Sequence, residues 1–284
     1  MLVKYLANTL TTIFRHQVRD DADKAVDFGN DRPLINYMWI NRAKAATNPD
    51  GPMCAIGLQY IERAVENGNR YPQADFKLWI DKKLLDDSTH FWLGSFLYER
   101  MKHGNIEICD LQTIPDYAND PLFVPIGPSG STDDDKKLTL NVYIRADYAR
   151  ILILDHCLKT YGDRSRFIYS DIDSEDIHLF RASNIMDRRG IVINDMGSHS
   201  VVSHGYIGLA AKNRKIQAHF KELKECTRMA AYGDALGFRA FDAFLVRIGL
   251  PLERSREKIG IHRVLPRCGY RIAPDKDIQQ LGIN

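Results

Sequence analysis

The 284-residue sequence lacks several features that would define its class at once. It has no apolar run of roughly 18 or more residues, which a membrane-spanning helix needs. Its five cysteines form no CxxC pair and are odd in number, which disfavours a disulfide scaffold and favours reduced thiols. The net charge of +2 is too small to attract a phosphate backbone, so we expect no nucleic-acid partner.

The N-terminus also lacks the continuous apolar region and cleavage site of a secretory signal. Apolar residues recur there at helical spacing, namely Leu2, Leu6, Leu10, Ile13 and Phe14. This pattern predicts an N-terminal helical segment within residues 1–32 that packs on the rest of the chain. A helix that contacts a membrane surface or docks a partner is the alternative.

Short apolar runs alternate with helical patterns from residue 33 onward, and this alternation predicts an α/β fold with a mostly parallel central sheet flanked by helices. Strands are predicted at 34–40, 76–81, 106–109, 167–169 and 191–193, and helices at 53–66, 88–103, 143–160, 213–227 and 238–248. Prolines, glycines and an acidic run predict an irregular insertion over 115–137. We therefore expect one domain over 33–284, with a C-terminal helical extension and basic tail over 213–284.

Two carboxylates, Asp171 and Asp173, follow the apolar strand at 167–169. At a strand exit both can face the crevice where ligands bind in α/β sheets, and a divalent cation would offset their repulsion. A solvated acidic turn is the alternative. An EF-hand loop is disfavoured, because Asp176 stands where such a loop needs glycine and Ala182 where it needs glutamate. An aspartate-based phosphatase is a lesser alternative. Such enzymes usually carry this motif after the first strand of the fold, whereas here three predicted strands come before it.

Asp147 and Arg150 lie three residues apart on the apolar helix predicted at 143–160, so they share one face. The pair is typical of a buried structural ion pair. In a site, the same arginine could donate to a phosphate or sugar oxygen and the aspartate could accept from a hydroxyl.

Four motifs occur in a recognisable order: Met38-Trp39-Ile40, Leu78-Trp79-Ile80-Asp81, Asp147-x-x-Arg150 and Tyr169-Ser170-Asp171-Ile172-Asp173. Together they resemble the DXD-containing GT-A glycosyltransferases, particularly the large clostridial glucosylating toxins, bacterial effector glucosyltransferases and related α-mannosyltransferases. The resemblance covers residues 33 to 220.

The resemblance implies a GT-A-like fold and a site for a nucleotide-sugar donor. In it, Trp39 with Ile40 would contact the nucleotide, Asp147 and Arg150 the donor sugar and diphosphate, and Asp171 the ribose and sugar. Asp173 would be the direct ligand of Mn2+ or Mg2+, next to Asp171. The implied reaction is transfer of a hexose, from a UDP-sugar and with retention, to a hydroxyl of a protein or glycan.

Two departures from the family keep a second hypothesis open, in which a catalytically idle GT-A-like module binds a partner. Residues 160–166 replace a short Gly-Gly turn, and no tryptophan of a donor-closing loop follows residue 200. Trp39, Trp79 and Trp92 could all be core residues, and His204, His262 and the basic tail could be surface features. The resemblance also predicts a cytoplasmic protein or one exported to a host cell cytosol without a cleaved signal.

Overall fold

A computed structural model describes residues 26–40, 58–85, 87–123, 132–172, 174, 177–195 and 202–232. The strands are β1 Leu34–Trp39, β2 Asp75–Ile80, β3 Ile106–Asp110, β4 Arg166–Ser170, β5 Ile191–Asp195 and β6 Val202–Ala210. The α-helices are α1 Leu58–Arg70, α2 Asp87–Arg100, α3 Pro115–Ala118, α4 Thr132–Thr160, α5 Leu179–Arg189 and α6 Arg214–Tyr232. Short 3-10 helices occupy Lys82–Leu84, Leu111–Thr113 and Pro121–Phe123.

The six strands form one sheet in the order β3-β2-β1-β4-β6-β5. The pairs β1–β2, β2–β3 and β1–β4 are parallel, while β6 runs antiparallel to both β4 and β5. The carboxyl ends of β1, β2, β3 and β4 therefore meet at one edge of the sheet. This confirms the predicted α/β fold with a mostly parallel sheet.

Both faces of the sheet are buried, which explains why its strands are continuous apolar runs. On one face, Leu34 and Phe167 pack in a core with α4 and α6. On the other face, Ile35 and Ile168 pack in a second core with α1, α2 and α5. Neighbouring residues of a strand thus face different cores, because successive side chains point to opposite sides.

The predicted start of the helix at 143 and the predicted irregular order up to residue 137 were wrong. Helix α4 begins at Thr132, and the short helix α3 lies at Pro115–Ala118. The acidic run Asp133-Asp134-Asp135 occupies the first turn of α4, where the helix dipole favours negative charge. These acids, which were expected to oppose regular structure, instead suit a helix start.

Strand β6 and helix α5 were not predicted. Gly205 and Gly208 weaken the strand pattern of β6. A Cβ on Gly208 would lie 2.5 Å from Val192 Cγ1 and 2.9 Å from Met186 Sδ, so any larger residue would force these side chains to move. Pairing on both sides with β4 and β5, rather than local preference, makes this segment a strand.

Several sequence predictions lie outside the described residues. These are the N-terminal apolar pattern, the helix at 238–248, His262 and most of the basic tail prediction over 213–284, and Asp173. Within the described residues, no helix is long and apolar enough to cross a membrane.

Candidate active site

The candidate site lies at the carboxyl end of β4, beside the central strand β1. Asp171 directly follows β4, and helix α4 crosses the same face of the sheet with Asp147 and Arg150. In open α/β sheets this edge is where ligands bind. The structure thus brings together three of the four residues predicted to be catalytic.

Arg150 lies between two carboxylates. Its Nη1 is 3.4 Å from Asp147 Oδ1, and its Nη2 is 3.5 Å from Asp171 Oδ1. Both separations exceed the usual 2.7–2.9 Å of a charge-assisted hydrogen bond, so these are loose ion pairs. The spacing of three residues on α4 supplies the first contact, and the packing of α4 on β4 supplies the second.

Arg150 and Asp171 differ in how far they are buried. The Arg150 side chain is 10% exposed, whereas that of Asp171 is 21% exposed. A guanidinium taken out of water needs negative partners, and its cost of burial is high without them. The carboxylate that pairs with it reaches solvent, so a ligand arriving at this edge would meet both charges.

Tyr169 is a site residue that the sequence indicates only as part of the motif around Asp171. Its hydroxyl donates to Asp171 Oδ1 at 3.0 Å, and its ring lies under the Arg150 guanidinium, 5.3 Å from ring centroid to Cζ. Burial, together with the Asp171 carboxylate, raises the pKa of Tyr169 well above its ordinary value. The phenol therefore stays protonated and holds the orientation of Asp171. The period-2 alternation of β4 is the signal that could have found it, since Tyr169 and Asp171 share a face.

Hydrogen bonds also hold the backbone of Asp171 and of the turn that follows it. The Asp171 amide donates to the Gly205 carbonyl at 2.7 Å, and the Ser174 amide donates to the Asp171 carbonyl at 3.1 Å. Ser170 Oγ donates to Ser174 Oγ at 3.0 Å. Strand β6, which was not predicted from the sequence, thus fixes the turn after β4. His204 precedes Gly205 on β6.

Trp39 ends β1 at the same edge but on the other face of the sheet. It is partly buried and packs against Tyr60 of α1, with ring centroids 5.9 Å apart. Its indole N–H is buried and makes no hydrogen bond to the described residues. Ile40, by contrast, places its side chain in the core on the α4 face. Trp39 and the Arg150 ion pairs therefore lie on opposite faces of the sheet.

The other two tryptophans have structural roles, as expected. Trp79 is 2% exposed and its Nε1 donates to Asn36 Oδ1 at 2.9 Å within the core. Trp92 packs against Phe96 along α2, with ring centroids 5.3 Å apart.

The fit of a divalent cation depends on the Asp171 carboxylate. Both of its contacts, to Tyr169 and Arg150, use Oδ1, and within the described residues Oδ2 contacts no donor or cation. A partly exposed carboxylate oxygen is a suitable ligand for Mg2+ or Mn2+. Among the residues that the structure describes, no three or more His, Cys, Asp or Glu side chains form a group that could hold a metal ion.

No family model and no curated protein matches the chain. Solved structures similar to it include PaToxG glycosyltransferase, at 15% identity and a TM-score of 0.39, over 92% of this chain and 94% of that one. The bacterial N-acetylglucosamine transferase NleB is similar at 14% identity and a TM-score of 0.36, over 77% and 91%.

The galactosyltransferase LgtC, in complex with donor and acceptor sugar analogs, is similar at 11% identity and a TM-score of 0.33, over 72% of each chain. All three are glycosyltransferases by name. Their identities and TM-scores are low, so they assign no role to any residue of this chain.

Proposed function

We propose that this protein is a glycosyltransferase that moves a hexose from a nucleotide sugar to a hydroxyl group. The observation that carries the proposal is the position of Arg150 between Asp147 and Asp171 at the carboxyl end of the central strands. A guanidinium suits diphosphate oxygens, and carboxylates suit sugar hydroxyls. The order of the four sequence motifs supports the same activity.

In this proposal each residue has a role set by its chemistry. Arg150 donates to the donor diphosphate, where negative charge develops as the sugar departs. Asp147 accepts from a sugar hydroxyl, and Asp171 accepts from the ribose or the sugar. Tyr169 keeps Asp171 in place through its 3.0 Å hydrogen bond. The long ion pairs let Arg150 exchange a carboxylate contact for a phosphate contact at small cost.

The nucleotide would lie across the end of β1. Trp39 offers an aromatic surface and an N–H donor that the described residues do not satisfy. With its side chain in the core, Ile40 would contact the base only through its backbone. We propose UDP as the nucleotide because the family with this motif order uses it.

We further propose that Asp171 and Asp173 hold Mn2+ or Mg2+. A bound cation would offset charge on the leaving diphosphate. The charges favour this, because Arg150 pairs with Asp147 and Asp171, and the sequence adds a further carboxylate at Asp173. Retention of configuration, a protein acceptor and a cytosolic site of action complete the proposal, on the resemblance to effector glucosyltransferases.

Isothermal titration with UDP, with and without Mn2+, tests the site directly. We expect binding that requires Mn2+ and is lost in Asp171→Asn. Asp187→Asn is the matched control, because Asp187 is a partly exposed carboxylate that pairs with Arg166 away from the site. No UDP binding at millimolar nucleotide would contradict the proposal.

Release of free nucleotide from UDP-glucose, UDP-GlcNAc and GDP-mannose tests the activity. Turnover of any of the three supports a transferase, while nucleotide binding without turnover would favour the idle module. Asp173→Ala should abolish turnover without lowering stability, because removing one of two carboxylates that are two residues apart in sequence relieves repulsion. A lower melting temperature with full activity would make Asp173 structural.

A further inference from the structure

Helix α1 carries one polar side chain on its buried face. That face is mainly apolar, with Ile61, Ala64 and Val65 in the core. Asn67 lies on the same face and is 0% exposed. Asparagine favours a helix interior less than leucine does, and burying an amide costs free energy unless hydrogen bonds replace its water. Neither helix propensity nor burial therefore explains Asn67, and residues that break such local rules are expected at functional positions.

The side chain of Asn67 reaches the turn after β4. Its Nδ2 donates to the Ser174 carbonyl at 3.3 Å, across 107 residues of sequence. Its Oδ1 is buried and has no hydrogen-bond partner among the described residues. Within that part of the chain, the one hydrogen bond of the Asn67 side chain thus joins α1 to this turn.

Ser174 is the residue through which this bond acts on Asp171. The Ser174 amide donates to the Asp171 carbonyl at 3.1 Å, and this bond closes a four-residue turn. Ser170 Oγ lies 3.0 Å from Ser174 Oγ and 3.3 Å from the Asp171 carbonyl oxygen. Ser170 and Ser174 are both buried. Because the turn is this short, a displacement of Ser174 also displaces the backbone of Asp171.

The same helix contacts Trp39. Tyr60, whose ring packs against Trp39 at a centroid distance of 5.9 Å, precedes Asn67 by seven residues. Residues seven apart lie on the same side of a helix. One face of α1 therefore touches both the residue proposed to contact the nucleotide and the turn that begins at Asp171.

We propose that Asn67 is a positioning residue. Through the Ser174 carbonyl it fixes the turn after β4, and so the orientation in which the Asp171 carboxylate meets Arg150 and Tyr169. A displacement of a reacting or contacting group by about 1 Å can cost about 100-fold in rate. The effect of Asn67 on sugar transfer rests on the proposed function, whereas its hold on the turn does not.

Asn67→Leu tests the proposal on the full chain. The melting temperature should change by no more than about 3 °C, because the lost hydrogen bond is offset by removal of an unpartnered amide oxygen and by apolar burial. In hydrogen exchange followed by mass spectrometry, the peptide that contains Asp171 and Ser174 should exchange about fivefold faster. Release of nucleotide from the donor should fall at least about fivefold in kcat/KM per folded molecule.

Asn69→Leu is the matched control on the same helix. The Asn69 amide also donates to a backbone carbonyl, that of Arg100 at 3.2 Å, but at the end of α2 rather than in the turn after β4. This variant should leave the exchange of the turn peptide and the turnover at wild-type values. Ser170→Ala removes the contacts of the Ser170 hydroxyl from the strand side, so it should also speed exchange of the turn peptide.

The readouts separate this proposal from the proposed function. Unchanged exchange of the turn peptide in both Asn67→Leu and Ser170→Ala would overturn the positioning role. Faster exchange with wild-type kcat/KM in an active enzyme would make Asn67 structural and would overturn it as well. If the wild type releases no nucleotide from any donor, the proposed function fails, while faster exchange confined to the turn peptide still supports the hold of Asn67 on Asp171.

Discussion

Helix α4 carries charged groups in two regions that differ in how tightly they are paired. Near its middle, Arg150 lies 3.4 and 3.5 Å from two carboxylates. Nearer its C-terminus, Asp155 lies 2.7 Å from Lys159 and 2.9 Å from Lys224 of α6. The second region has the short separations that are typical of a structural ion-pair network. The two separations from Arg150 in the first region are longer than these.

The tight network joins three elements. Lys224 contacts Asp155 of α4 and Asp116 of α3 at 2.9 Å each, and Tyr232 donates to Asp120 at 2.8 Å. These contacts fix α6 against α4 and α3. We expect changes around Arg150 to alter activity and changes in the tight network to alter stability alone.

The largest effect is expected from Arg150→Ala. Losing this cation should lower donor turnover by about 100-fold or more, since a preorganised contact to developing charge disappears. The variant also leaves two carboxylates facing each other and should lose on the order of 3 kcal/mol of unfolding free energy. Donor hydrolysis per folded molecule, read beside urea melts, separates the two effects.

Arg150→Lys is the control for charge alone. It should recover most of the stability but little turnover, because an ammonium cannot fork between two oxygens as a guanidinium does. Full activity in the lysine variant would contradict a bidentate role for Arg150.

Tyr169→Phe should have the next largest effect on turnover. It removes one hydrogen bond to Asp171, worth about 1 kcal/mol, so turnover should fall roughly fivefold with little change in KM for the acceptor. Tyr232→Phe is the matched control, since its hydroxyl also donates to an aspartate but in the tight network. Equal loss of turnover in both variants would contradict the distinction between the regions.

Lys224→Met should affect stability alone. It removes two contacts of 2.9 Å and should lower the unfolding free energy by about 1 to 2 kcal/mol, with Lys159 still pairing with Asp155. Turnover per folded molecule should stay at the wild-type level. Lys221→Met, on the exposed side of α6, should change stability by less than about 0.5 kcal/mol.

The smallest expected effect is a change in stability with pH. A hydrogen bond from Lys224 lowers the pKa of Asp116 below its ordinary 3.8, so this contribution is present above that pH and is lost as pH falls through the folded value. Burial alone would lower the pKa of Lys224, but hydrogen bonds to Asp155 and Asp116 outweigh it and raise the pKa above 10.5. That contribution is lost only as pH rises through the raised value.

Melting temperature should therefore change little through neutral pH on account of this network and fall at both extremes. In Lys224→Met the fall at acid pH should be shallower than in the wild type, because Asp116 then titrates nearer its ordinary value. Identical acid limbs in the two proteins would show that another group controls the acid transition.

Much of the fold could be predicted because local sequence and tertiary environment agree. All five predicted strands that fall in the described residues exist, since their apolar runs suit a sheet buried on both faces. The early start of α4 was missed because acidic residues suit either a loop or a helix N-terminus. Only the continuous helix from Thr132 to Thr160 shows that they begin a helix. Strand β6 was missed because its glycines oppose a strand locally.

For the candidate site, the sequence by itself determined which side chains share a local element. The spacing of Asp147 and Arg150 on one helix face, and the place of Asp171 after an apolar strand, follow from the periods of helix and strand. The distance of 3.5 Å between Arg150 and Asp171 was decided only by the tertiary structure, as was the hydrogen bond from Tyr169. Both depend on how α4 packs across β4, and such packing is set by the sum of many long-range apolar contacts that no local pattern encodes.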